Sequence, residues 1–122
     1  MELNEYQDKA MTTCMESCDN FSYMMLNLVG EVGELASKVA KDIRRGEASI
    51  EKSHLYYNRP IDWEINRQRQ AQEIGDILWM LAGIAKVYGY TLEEIAEMNL
   101  HKLQARKQAG TIDGNGDGIY NR

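Results

Sequence analysis

The sequence predicts an all-α protein with a four-helix-bundle architecture, and three observations carry that prediction. Two long stretches, near residues 22–45 and 62–89, repeat apolar residues at three- and four-residue intervals. The run Thr91-Leu92-Glu93-Glu94 is a capping box that opens a further helix. The only proline, Pro60, falls between elements, and no segment alternates strongly enough to give a confident strand.

In chain order, the first helix is expected from about Asn4 to Ser17, with Asn4 as its cap. The second runs from about Ser22 to Arg45 and stops at Gly46 after two arginines, which suit the negative end of a helix. Its apolar stripe includes Met25, Leu28, Val32, Leu35, Val39 and Ile43. The connection "GEASIEKSHLYYNRP", residues 46–60, reads as a loop or short hairpin. A third helix starts near Asp62, its candidate cap, and ends at Gly89; a fourth spans Leu92 to about Gln108. The Gly-rich remainder, 109–122, is expected to be an irregular or flexible tail on one domain covering 1–122.

Composition narrows the function. The 122 residues are 43% apolar and 27% charged, ordinary values for a globular chain. A net charge of -5 argues against nucleic acid as a partner, since phosphate backbones are met with positive charge. It leaves room for a small phosphorylated substrate, because metal ions can neutralise acidic ligands locally. No run reaches the roughly 18 apolar residues of a membrane span, and "MELNEYQDKA" lacks a signal-peptide pattern. A cytoplasmic protein away from membranes is the expectation. Cys14 and Cys18, four apart on an expected helix, read as free thiols rather than as a zinc or redox pair.

The informative residues are acidic. In "QEIGDILWMLAGIAKVYGY", residues 72–90, Glu73 projects into the apolar arc of the helix and Asp76 lies at its edge. An unpaired charge buried there would cost several kcal/mol. The second helix carries its own pair in "GEVGELASK", where Glu31, Glu34, Lys38 and Asn27 share one flank of the stripe. If the two helices pack side by side, four carboxylates converge, and cations must accompany them. Mg²⁺ suits such a site, since it takes oxygen ligands from a few carboxylates together with water and phosphates.

"LVGEVGELASKVAK" followed by "EIGDILWMLAGIAKVYGYTLEEIAEMNLHKLQAR" resembles the MazG-like, all-α nucleoside triphosphate pyrophosphohydrolases over about Leu28 to Arg106. That family is marked by an ExxE on one helix, an ExxD on the next, and a following helix with an Asn, a Lys and an Arg. The resemblance implies Mg²⁺, with Mn²⁺ as a substitute, held by Glu31, Glu34, Glu73 and Asp76. It implies phosphate contacts from Lys38, Asn99, Lys102 and Arg106, with Glu34 as general base and Lys38 as its catalytic companion. The implied reaction cleaves a (deoxy)nucleoside triphosphate to monophosphate and pyrophosphate, as in nucleotide-pool housecleaning. A homodimer or higher homo-oligomer is implied too. The chain departs from the family in the 38 residues separating Glu34 from Glu73, a longer gap than usual, whose excess falls near His54–Pro60.

Seven aromatic side chains are candidates to stack on a base: Tyr6, Phe21, Tyr23, Tyr56, Tyr57, Trp63 and Trp79. Trp79 projects away from the Glu73 flank, towards a partner helix or subunit. Three rival readings compete. "DGNGDG", Asp113 to Gly118, imitates the start of an EF-hand loop, but the twelfth position would lie beyond Arg122. A di-iron bundle needs two Glu-x-x-His motifs, and Glu51 to His54 is the only one. The third is a non-catalytic helical bundle acting as a binding or regulatory protein with a structural metal site.

Overall fold

A computed structural model describes residues 1–110. Its elements are α1 (Leu3–Met11), a 3₁₀ turn (Glu16–Cys18), α2 (Phe21–Arg44), β1 (Ala48–Glu51), β2 (His54–Tyr57), α3 (Pro60–Val87) and α4 (Leu92–Ala109). The class is all-α, with one small two-stranded sheet. The glycine-rich segment and its EF-hand-like run lie outside the described residues, except that Ala109 closes α4 and Gly110 caps it with a left-handed φ of 74°.

The long α2 and α3 pack against each other as an antiparallel pair and form the frame of the molecule. Met24 of α2 is fully buried against Gly83 of α3. A Cβ at Gly83 would collide with the Met24 sulfur and methyl, so a larger residue there would displace the end of the Met24 side chain. Asn20 caps α2 by accepting a hydrogen bond from the Tyr23 amide at 2.9 Å. Arg59 and Pro60 open α3 with proline in its preferred first turn. Asp62, the expected cap, instead sits inside that turn and holds the Arg59 guanidinium at 2.9 and 3.1 Å.

The sequence reading needs two further corrections, and one of its alternatives is settled. The first helix stops at Met11 rather than Ser17, where the Thr12 and Thr13 hydroxyls bond back to the carbonyls of Lys9 and Ala10. Cys14 and Cys18 therefore lie on the connection that follows it, and both are free. Asn4 caps a different helix from its own: its Oδ1 accepts from the Glu93 amide at the start of α4. Finally, residues 46–60 hold a true hairpin, with Ala48 opposite Tyr57 and Glu51 opposite His54. Its two turn residues, Lys52 and Ser53, both have positive φ (50° and 69°), which matches the twist of a tight hairpin but lacks the Asn-Gly signature.

α1 lies across α3 and the start of α4. The buried Gln7 donates to the carbonyls of Ala82 (3.1 Å) and Tyr90 (3.2 Å) and accepts from the Leu92 amide (2.9 Å). Around it a small core gathers Ala82, Ala85 and Leu92 with Tyr6 and Met11. The expected capping box is present at the head of α4, with Thr91 and Glu94 each bonded to the other's backbone. The bundle is open rather than closed, since α4 packs only lightly on α1 and α3 compared with the close α2–α3 pairing.

Candidate functional site

The site lies on the α2–α3 seam, where the antiparallel pairing sets Glu31 opposite Asp76 and Lys38 opposite Glu73. One carboxylate oxygen each from Glu31, Glu73 and Asp76 come together, all within 4.8 Å of one another. Lys38 Nζ meets Glu73 Oε1 at 3.3 Å, and the Glu73 side chain is only 13% exposed. Its other oxygen, Oε2, is buried and receives no hydrogen bond among the described residues. An unpaired buried acceptor costs roughly 1–3 kcal/mol, and more when charged.

The electrostatics record the same crowding. Burial first, then the Asp76 charge, pushes the Glu31 carboxyl above the usual range. The close approach of Glu73, and the charges of Glu73 and Glu34, act in the same direction. The Tyr6 hydroxyl is also raised, by burial and then by Asp76. A hard divalent cation fits this donor set: it would answer the orphaned Glu73 oxygen and relieve the repulsion among the three acids.

Glu34, the fourth expected ligand, is exposed and outside the trio, although its charge reaches Glu31. Three residues along a helix is a rotation of about 300°, so the partner of an inward Glu31 is carried towards the rim. On α4, Asn99 is exposed while Lys102 and Arg106 are half-buried. No ion pair joins Lys102 to the trio.

A recess of about 200 Å³ adjoins the acids, lined by Tyr23, Asn27, Glu31, Asp76, Trp79 and Met80. Trp79 Nε1 donates to the Ala10 carbonyl (3.1 Å) and to Thr13 Oγ1 (2.9 Å), so α1 fixes the indole in place. The sequence expectation that Trp79 packs on a partner helix is met by α1, yet Trp79 also walls this recess. The Tyr23 hydroxyl is raised chiefly by its hydrogen bond with Cys18, and it also bonds Asn27. Sequence reading named Tyr23, Asn27 and Trp79 separately; their meeting needed the position of α1. It missed Gln7 altogether, along with the hydrogen bonds from the Tyr57 hydroxyl to Asp42 (2.6 Å) and from Gln70 to Tyr57 (2.9 Å) that fasten the hairpin to α2 and α3. A lone Gln or Asp on a polar-looking stretch gives no signal for such bonds.

Of the rival readings, the Glu51–His54 pair faces itself across the hairpin turn and cannot supply a helical Glu-x-x-His motif. Among the described residues, no helix is long and apolar enough to cross a membrane.

Fold and cluster together define a class: an all-α protein with an oxygen-lined acidic site between two antiparallel helices. The family model of the MazG nucleotide pyrophosphohydrolase domain matches residues 19–111, and the chain belongs to that family, which is metal-dependent and acts on nucleoside triphosphates. It is also similar to Gene 37 protein of Mycobacterium phage L5, at 33% identity over 124 residues, covering 96% of this chain and 98% of that protein. No solved structure matches the chain significantly.

Proposed function

We propose that this protein hydrolyses a (deoxy)nucleoside triphosphate between its α- and β-phosphates, releasing the monophosphate and pyrophosphate. The observation that carries the reading is the trio Glu31, Glu73 and Asp76 with its partnerless Glu73 oxygen, inside a segment matched by a nucleotide pyrophosphohydrolase family. These three acids would hold Mg²⁺, or Mn²⁺ in its place, with Glu34 joining from the rim. When bound, the cation supplies positive charge to phosphate oxygens and makes water a stronger acid.

The chain's own groups complete the chemistry. Glu34, exposed beside the trio, accepts the proton of the attacking water. Lys38 moves its ammonium from Glu73 to the phosphates and balances the charge that develops on them. Asn99, Lys102 and Arg106 share one face of α4 and contact the phosphates from that side. The base enters the recess on the far side of the trio, flat against the fixed Trp79 indole, with Tyr23 and Asn27 at its edge.

The exposed apolar residues of α3 and α4, among them Ile74, Leu78, Leu81, Tyr88 and Met98, support a homo-oligomer covering that surface. The reading extends to a single functional domain over 1–122, acting in the cytoplasm in nucleotide-pool housecleaning. Its test is turnover of a panel of canonical and damaged (d)NTPs with Mg²⁺, measuring pyrophosphate against orthophosphate. Pyrophosphate release is expected. Orthophosphate alone, or no turnover with any nucleotide, overturns the reading.

A further inference from the structure

A second recess, of about 100 Å³, opens on the same seam towards the hairpin. Its walls carry four cations, Lys38 and Lys41 from α2, Arg45 at the α2 C-cap and Arg69 from α3, against one carboxylate, Asp42. Asp42 is occupied by the Tyr57 hydroxyl at 2.6 Å. Among the described residues, Lys41, Arg45 and Arg69 have no ion-pair partner. In a chain of net charge -5, these like charges converge from two helices on one concavity. Convergent cations repel one another until an anion sits between them, and guanidinium groups suit phosphate oxygens in particular.

Position makes the recess more than a basic patch. Lys38 belongs to both places: it lines the recess and lies 3.3 Å from Glu73 of the acidic trio. Lys41 is one turn beyond Lys38, and Arg69 is one turn before Glu73. Because α2 and α3 run antiparallel, both steps lead in the same direction along the seam. A turn is about 5.4 Å, which a lysine or arginine side chain spans. The aromatic recess of Tyr23 and Trp79 lies the other way. A linear ligand with its α-phosphate at the acids thus has a stacking surface at one end and a cationic one at the other.

We propose that Lys41, Arg45 and Arg69, with Lys38 as the shared wall, form a cradle for the β- and γ-phosphates that leave as pyrophosphate. This rests on the proposed reaction and fixes the direction in which the nucleotide lies. Arg69 takes two oxygens of the terminal phosphoryl group, and Lys41 balances the charge transferred to the leaving group. Arg45, at the outer edge, draws the anion in and releases it.

Calorimetric titration of inorganic pyrophosphate with Mg²⁺ tests the cradle without requiring turnover. The double variant K41A/R69A changes only exposed side chains. It is expected to bind pyrophosphate at least tenfold more weakly than the natural chain, with nucleoside monophosphate affinity unchanged and partial rescue in K41A/R69K. Equal pyrophosphate affinity in the natural chain and K41A/R69A overturns the cradle, as does a natural chain that binds none. If pyrophosphate binds here but no nucleotide is hydrolysed, the proposed reaction fails while the cradle stands. Hydrolysis with no effect of K41A/R69A gives the converse.

Discussion

Two helix contacts of α3, one with α1 and one with α2, each cover a polar side chain, and they treat it differently. At the α1–α4 corner, Gln7 is 6% exposed, its amide nitrogen donates to two carbonyls, and its oxygen accepts from the Leu92 amide. Two turns away, Glu73 is nearly as well covered, yet one of its oxygens has nothing to bond. The contrast separates two purposes. A buried polar group whose hydrogen bonds are met locks helices together, while one left short marks a place prepared for something the chain does not itself provide.

That contrast can be broken by mutation. The largest effect is expected at the acids. Asp76→Asn should lower pyrophosphate release by at least about a thousandfold, because metal charge supplies several kcal/mol of transition-state stabilisation. Its circular dichroism should stay that of the natural chain, and turnover near the natural rate would make the trio structural. Gln7→Leu should do the opposite. By stranding two carbonyls and an amide it should remove about 2–4 kcal/mol of stability in urea titration, with activity per folded molecule retained. Loss of activity without loss of stability there would erase the distinction.

A smaller change is expected at Glu31. Its carboxyl is raised, so ionisation at neutral pH works against the folded state. Glu31→Gln should therefore stabilise the metal-free protein modestly in thermal melts. Mg²⁺ should raise the melting temperature of the natural chain and leave the variant almost unmoved. An equal response in both would remove Glu31 from the metal site.

The hairpin anchor gives the smallest effect. Burial and the Asp42 bond push Tyr57 from 10.0 up to about 12. A group raised on folding stabilises fully below its unfolded pKa and loses that contribution as pH rises through the folded one. The natural chain should thus lose stability between about pH 10 and 12. Tyr57→Phe should be less stable at neutral pH but flatter across that window, and an unchanged slope would detach Tyr57 from the alkaline transition.

What could be read in advance follows from how local each signal is. The bounds of α2 and α4 rest on nearby caps, and both were legible within about a residue. Glu73 stood out because an acid within an apolar arc conflicts with the pattern around it, with Asp76 at the edge of that arc, while Glu31 and Glu34 read alike from the flank of the α2 stripe. Glu34 shares the motif but not the environment, since a helical wheel cannot say how far a seam extends. Asn4 looks like a cap in sequence and is one in the structure, but for a helix 89 positions away. The hairpin was only one of two readings because Lys52-Ser53 adopts positive φ without the residues that usually announce it. Lys41, Arg45 and Arg69 look like ordinary solvated charges until α2 and α3 are laid side by side.

The bonds of Asn4 and Gln7 to the head of α4 also impose an order of assembly. α1 is synthesised well before the amides of Leu92 and Glu93 that hold it. Until those residues emerge, Gln7 has no complete set of partners, and a short helix on its own is marginal in water. α2 and α3 can pair through the intervening hairpin well before this. The growing chain would therefore carry a formed acidic seam with its opening segment still undocked. Trp79, whose indole is positioned by α1, would be fixed only when α4 starts to wind.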